Sequence, residues 1–271
     1  MGILSAVLIV QVALSLVYVC RRRRTIDREQ TRSKVIVMVP CYNEGAKELK
    51  KTIDSVMDTS YPDANKVLIV VADGNITGKG ETRSTPETLS ELLGFTMTTK
   101  DKSYKCESLG GLTENRAKLY YGTKTDCNKS LKYLVIVKSG LKIEQGSARA
   151  GNRGKRDSQL LLIGLLNRVH HRRNLNELDS AIVDVLKKLS VAIDTVKYLM
   201  TIDADTRVEA ESISHMTYTM NKDKKILALC GETRIDNKGK SWKEIVTLFT
   251  FTDRYSLSQF FAITSEYLFS G

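Results

Sequence analysis

From Val35 onward, short β-branched runs alternate with stretches of helical period. KVIVMV at 34–39 and VLIVVA at 67–72 are continuously apolar, as parallel strands covered on both faces are. Between them Leu49, Ile53, Val56 and Met57 recur at helical spacing, and Tyr61-Pro62 ends that helix. YLVIVK at 133–138, YLMTI at 198–202 and ILALC at 226–230 supply three further strands, with helices at about 156–170, 178–190 and 209–221. This alternation predicts an α/β sandwich around a mainly parallel central sheet. The segment 78–122 is polar and shows no clear period, so it reads as a surface insertion. The stretch 242–269 carries Trp242, Ile245, Leu248, Phe249, Phe251, Tyr255, Phe260 and Phe261. As a helix it would need a core or a membrane surface to cover it.

Ahead of this lies a different pattern. Residues 3–20 form an apolar run interrupted only by Ser5, Gln11 and Ser15, and RRRR follows at 21–24. A membrane-crossing helix needs about 20 such residues. A secretory signal would carry its charge before the apolar run, the reverse of the order here. The positive-inside bias then places the arginines and everything after them in the cytoplasm. The predicted organisation is a transmembrane helix over 1–20, a basic juxtamembrane segment over 21–34 and one α/β domain over 35–271. The chain starts almost on its first helix, as the middle of a longer membrane protein would.

Composition narrows the classes. The 271 residues are 42% hydrophobic and 27% charged, which excludes disorder throughout. The 42 Lys and Arg against 31 Asp and Glu give +11, a balance that suits an anionic partner such as a phosphorylated small molecule, lipid headgroups or nucleic acid. Five cysteines, Cys20, Cys41, Cys106, Cys127 and Cys230, are odd in number and lack CxxC spacing. That disfavours a disulfide framework or a zinc ribbon.

Candidate chemistry sits where strands end, because ligands of open α/β sheets bind beyond the carboxyl ends. KVIVMV runs into Pro40-Cys41-Tyr42-Asn43-Glu44-Gly45, VLIVVA into Asp73-Gly74-Asn75, and YLMTI into Asp203-Ala204-Asp205. The two aspartates, at i and i+2 in extended chain, face one side and offer hard oxygen donors to Mg²⁺ or Mn²⁺ beside a polyphosphate. Gly151-Asn152-Arg153-Gly154-Lys155-Arg156-Asp157-Ser158 precedes an apolar helix. It lacks the spacing of a Walker A loop. Its glycines and its three cations, Arg153, Lys155 and Arg156, still make a diphosphate site. His170, His171 and His215 lack HExxH spacing, and no cysteine lies near a plausible base.

Together VPCYNEG (39–45), VADGN (71–75), NRGKRDSQLLL (152–162), LNRVHH (166–171), TIDADT (201–206) and CGETRI (230–235) resemble the chitin synthases. These are processive family-2 glycosyltransferases of the membrane that polymerise N-acetylglucosamine. The resemblance implies a GT-A-type nucleotide-sugar-binding domain. It puts Tyr42 and Glu44 on the uridine, Asp73 on the uracil and ribose side, and Lys155 with Arg156 on the diphosphate. It makes Asp203 and Asp205 the metal-diphosphate site, Asp205 the direct ligand, and sets Glu232 near the active centre.

The implied cofactor is Mg²⁺ or Mn²⁺. The implied partners are UDP-N-acetylglucosamine, a chitin chain as acceptor, membrane lipid and further copies of the chain, with no nucleic acid. The implied location is the plasma membrane, with the domain facing the cytoplasm. The general base and acceptor motifs of the family (a CLPG-type segment, an ED motif and a QxxRW motif) do not occur in the sequence. The resemblance sets them beyond Gly271, so the general base is expected there and Glu232 is the one candidate for a catalytic role within the chain. The expectation is therefore a donor-binding portion that takes UDP-sugar weakly and does not polymerise alone. The alternatives are another processive synthase of the hyaluronan or cellulose type, a catalytically inactive membrane-anchored subunit, or a basic protein binding nucleic acid or acidic lipid through 21–32.

Overall fold

A computed structural model describes residues 10–11, 33–78, 80–108, 114–147, 149–231 and 260–264. The predicted span 1–20 falls outside these residues except at Val10 and Gln11, and so does the basic segment up to residue 32. Glu232 and Gly271 lie outside them too, so the expectations of a catalytic role at Glu232 and of a general base beyond Gly271 fall outside the described residues. Among the described residues no helix is long and apolar enough to cross a membrane.

The strands are β1 (Lys34–Cys41), β2 (Lys66–Ala72), β3 (Ser103–Glu107), β4 (Glu114–Asp126), β5 (Lys129–Lys138), β6 (Val196–Ile202), β7 (Ala228–Cys230) and β8 (Phe260–Thr264). The helices are α1 (Ala46–Asp58), α2 (Thr85–Leu93), α3 (Lys155–His170), α4 (Glu177–Lys188) and α5 (Ser212–Lys222). These strands join one sheet in the order β3-β4-β5-β2-β1-β6-β8-β7. Its centre is parallel, β5 beside β2, β2 beside β1 and β1 beside β6. Both flanks are antiparallel. The sheet is therefore mixed, not mainly parallel.

The difference comes from two regions. The segment 78–122, polar enough to suggest a surface insertion, supplies α2, β3 and the first part of the 13-residue β4. The apolar stretch near the end, expected to be helical, contributes the strand β8, which pairs antiparallel with β6 and β7.

The central strands are apolar throughout because both of their faces are buried. Along β1, Val35, Val37, Val39 and Cys41 enter a core with α1, α2 and α5, through Ile53, Leu89 and Ile213 among others. Ile36 and Met38, on the opposite face, enter a second core with α3 and α4, through Leu162, Leu165 and Ile182. This is the two-residue period of a strand read twice. Truncating a large aliphatic side chain here to Ala costs about 2–5 kcal/mol.

Local signals fix the helix ends. Ser84 and Glu87 form a capping box at α2, with a proline in its first turn and Gly94 left-handed at its end. Asn176 and Asp179 do the same for α4. The Asp179 carboxylate also takes Arg168 Nε at 2.6 Å, binding α4 to α3.

Candidate functional site

Parallel strands deliver their carboxyl ends to one rim, and strands β5, β2, β1 and β6 lie side by side. The Tyr42–Glu44 turn, Asp73 and the Asp203–Asp205 turn therefore follow three neighbouring strands, and Lys138 closes the fourth. The pairing of Met38 with Thr201 and of Cys41 with Ala72 sets these ends at similar height.

Helix α1 braces the acidic turn. The buried Thr52 donates from Oγ1 to the Ala204 carbonyl at 2.7 Å, and Val208 N donates to Ser55 Oγ at 3.0 Å. Asp203 closes the turn by accepting Thr206 N through its carbonyl at 3.0 Å. The start of α2 braces the first turn, with Thr85 Oγ1 donating to the Tyr42 carbonyl at 3.0 Å. Within it Tyr42 N donates to Glu44 Oε2 at 2.7 Å, so the backbone orients that carboxylate. Cys41 lies directly beneath, fully buried, and burial pushes its thiol pKa well up, with Glu44 and Asp73 adding to the effect. It serves as a small apolar side chain there.

The basic loop lies across the ends of β2 and β5. At Gly74 φ is +100°, and a Cβ there would come 2.9 Å from the Ala150 carbonyl, so only glycine admits so close a strand of backbone. Asp73 is 3% exposed. Its Oδ1 accepts Lys138 Nζ at 2.9 Å and Arg153 N at 3.0 Å, and its Oδ2 accepts Gly154 N at 2.7 Å.

The three cations of the loop separate. Arg153 grips Glu144 with two bonds of 2.8 Å. The guanidinium pulls the Glu144 carboxyl down to about 2. Arg153 is thus a strut of the loop and not one of three phosphate ligands. Lys155 extends from the first residue of α3 to an ion pair with Asp203. Burial lowers its pKa below the usual lysine value while Asp205 and Glu44 pull the other way. Arg156, next in the turn, is exposed.

The rim thus brings together Lys155, Asp203, Asp205 and Glu44, drawn from three segments far apart in sequence. Asp203 is partly buried and Asp205 exposed. Among the described residues no group of three or more His, Cys, Asp and Glu could hold a metal ion. Two carboxylates at one turn fit a divalent ion that keeps water and takes its remaining oxygens from a phosphate. They do not make a closed protein cage.

Lys138, Asp157 and Glu144 were not anticipated. The signal for the first was a lysine closing an otherwise apolar strand.

A family model described as Chitin synthase matches residues 10–271. The chain belongs to the chitin synthase family. Chitin synthase 6 of Mycosarcoma maydis is 38% identical over 237 residues, covering 86% of this chain. Chitin synthase 4 of Pyricularia oryzae is 36% identical over 250 residues, covering 87%. The chain spans 20% of the length of each of these relatives. Among solved structures, a mannosyltransferase from Pyrobaculum calidifontis in complex with GDP-Man and Mn²⁺ is 16% identical, with a TM-score of 0.38. That likeness covers 74% of this chain and 36% of the other. The motifs that resemble those of the family fall on the carboxyl rim, except for LNRVHH, which lies at the far end of α3, and CGETRI, of which only Cys230 and Gly231 are described.

Proposed function

We propose that this chain forms the nucleotide-sugar site of a chitin-synthesising glycosyltransferase. The reaction is inverting transfer of N-acetylglucosamine from its UDP donor to a growing β-1,4 chain, on a GT-A-type domain spanning 35–271. The observation that carries the proposal is the ion pair of Lys155 with Asp203, with Asp205 and Glu44 beside it, on the rim where parallel strands end.

On this reading Tyr42 stacks on the base and Glu44 faces the uridine. Asp73 lies under the nucleoside and at the same time fastens the basic loop. The Lys155–Asp203 pair is a resting arrangement. The Lys155 side chain is half-exposed and can turn to the incoming diphosphate, which releases the Asp203 carboxylate as an oxygen donor. Lys155 and Arg156 then stabilise the charge that develops on the departing UDP. A divalent ion held by Asp205 and Asp203 would supply further neutralisation of that charge. The base that deprotonates the acceptor hydroxyl belongs, on this reading, to sequence beyond Gly271. The domain faces the cytoplasm, beneath a helix over 1–20, and membrane lipid, the chitin chain and further copies are its partners.

A titration tests the assignment. The chain is expected to bind UDP-N-acetylglucosamine in a Mg²⁺- or Mn²⁺-dependent manner and to bind GDP-mannose far more weakly. Equal uptake of the two donors, or of neither, sinks it.

A further inference from the structure

One buried cation on the rim has no part in the reading above. Lys138 is the last residue of β5, and its side chain is 0% exposed. Its Nζ donates to Asp73 Oδ1 at 2.9 Å and to Asp157 Oδ2 at 2.5 Å. Asp73 passes the connection on, because the same carboxylate accepts the backbone amides of Arg153 and Gly154. Asp157 lies in the first turn of α3, and its other oxygen accepts Ser108 Oγ at 3.0 Å. The backbone of Lys138 also supports the loop. A Cβ added at Gly151, where φ is +79°, would lie 2.6 Å from the Lys138 carbonyl oxygen and 2.7 Å from Gly140 N.

These bonds enclose Lys155. The residue before it, Gly154, is anchored through Asp73, and the residue two beyond it is Asp157 itself. A single ammonium therefore sets both anchors between which the ion-pairing lysine leaves the backbone. Two ionised carboxylates in so closed a space repel each other strongly without a cation between them. Losing Lys138 therefore frees the loop amides and the first turn of α3 together.

We infer that Lys138 is a positioning residue of the donor site, holding Asp73 and Asp157 so that the 151–154 loop and α3 present Lys155 to Asp203 and Asp205. The inference rests on the donor-site reading above.

The test uses the whole 271-residue chain and two readouts, with Mg²⁺ and UDP as the ligand probe. Lys138→Met removes the cation. The pair Lys138→Met with Asp157→Asn removes one positive and one negative charge, so the cluster keeps its net charge and the variant remains foldable. Lys66→Met, at the other end of the sheet, is the control for loss of a buried lysine. Hydrogen exchange without ligand is read at the 151–154 amides relative to those of β1 and β2 in the same sample. UDP affinity is read by calorimetry.

The expected result for the Lys138 variants is loop exchange faster by about tenfold or more, with UDP affinity lower by about 10–100-fold, the usual loss when a residue orienting a ligating side chain is removed. Lys66→Met should leave UDP affinity unchanged and loop exchange no faster relative to the strands. Unchanged loop exchange in the double variant overturns the positioning role, and so does a loosened loop with undiminished UDP affinity. A wild-type chain that takes no UDP overturns the donor-site reading, and the positioning role falls with it. Loop exchange, read without ligand, separates that failure from the others.

Discussion

Lys66 and Lys138 are both sealed from solvent, at opposite ends of the neighbouring parallel strands β2 and β5, and they are satisfied in different ways. Lys66 opens β2 at the amino end of the sheet. Its Nζ donates to the Met57 carbonyl at 3.0 Å and to Thr59 Oγ1 at 3.1 Å, with Asp63 at 3.0 Å. Burial pushes its pKa down and Asp63 pulls it back. Its partners are the last turn of α1 and a short connector, and the second oxygen of Asp63 accepts Ser130 N at 2.8 Å, so this lysine ties the amino ends of β2 and β5 together and no part of the rim hangs from it. Lys138 meets two carboxylates whose remaining acceptor capacity holds loop amides and a hydroxyl. A buried charge at the amino end completes packing. At the carboxyl end it keeps a polar loop in place over strand ends that must stay open to a ligand.

That contrast can be broken most forcefully at Asp205. Because Asp205 is exposed, Asp205→Ala should leave the unfolding midpoint unchanged. It should weaken metal-dependent UDP binding by about tenfold or more, since losing even a residue that orients a metal ligand costs about 10–100-fold. A fall in stability of similar size would erase the division between the two ends.

Lys66→Met sharpens the opposite side. It should lower unfolding free energy by about 1–3 kcal/mol, since buried carbonyls lose their donor, with UDP affinity intact. Denaturant titration and calorimetry on one sample decide it. Gly151→Ala should lower stability by about 1 kcal/mol or more, because φ is +79° and the new Cβ meets the Lys138 carbonyl. Unlike Lys66→Met, it should weaken UDP binding too.

The smallest effect concerns acid. Glu144 has a folded pKa of about 2 against an ordinary 4.5, so its pairing with Arg153 stabilises the chain above about pH 4.5. That contribution is lost as pH falls through 2. Glu144→Gln should therefore flatten the acid limb of stability measured by urea midpoints between about pH 5 and 2. An unchanged acid limb would remove Glu144 as a fastener of the rim.

Parallel strands were legible because burial on both faces makes them continuously apolar, as in KVIVMV and VLIVVA. The acidic strand ends were legible because topology alone sends them to one rim. β4 was not, since its buried positions, Asn115, Ala117 and Tyr120, are mostly small or polar and break the two-residue period after Ala117. Its absence from the reading made the sheet look mainly parallel. α2 carries a capping box, a proline and a terminal glycine that sequence does show, yet few apolar residues mark its face. β8 needed its pairing with β6 to become a strand in place of an apolar helix. In the candidate site, Lys155 and the two aspartates followed from their motifs. The Lys138–Asp73–Asp157 cluster did not, because its members lie 65 and 19 residues apart and meet only when β5, β2 and α3 are packed together.

The most direct measurement is a crystal structure of this chain grown with UDP and Mn²⁺, in which anomalous scattering locates the ion. The expected map places manganese on the Asp205 carboxylate, with a diphosphate between it and Lys155 and the Lys155–Asp203 pair opened. Manganese and UDP bound away from the Asp203–Asp205 turn, with that ion pair intact, would contradict it.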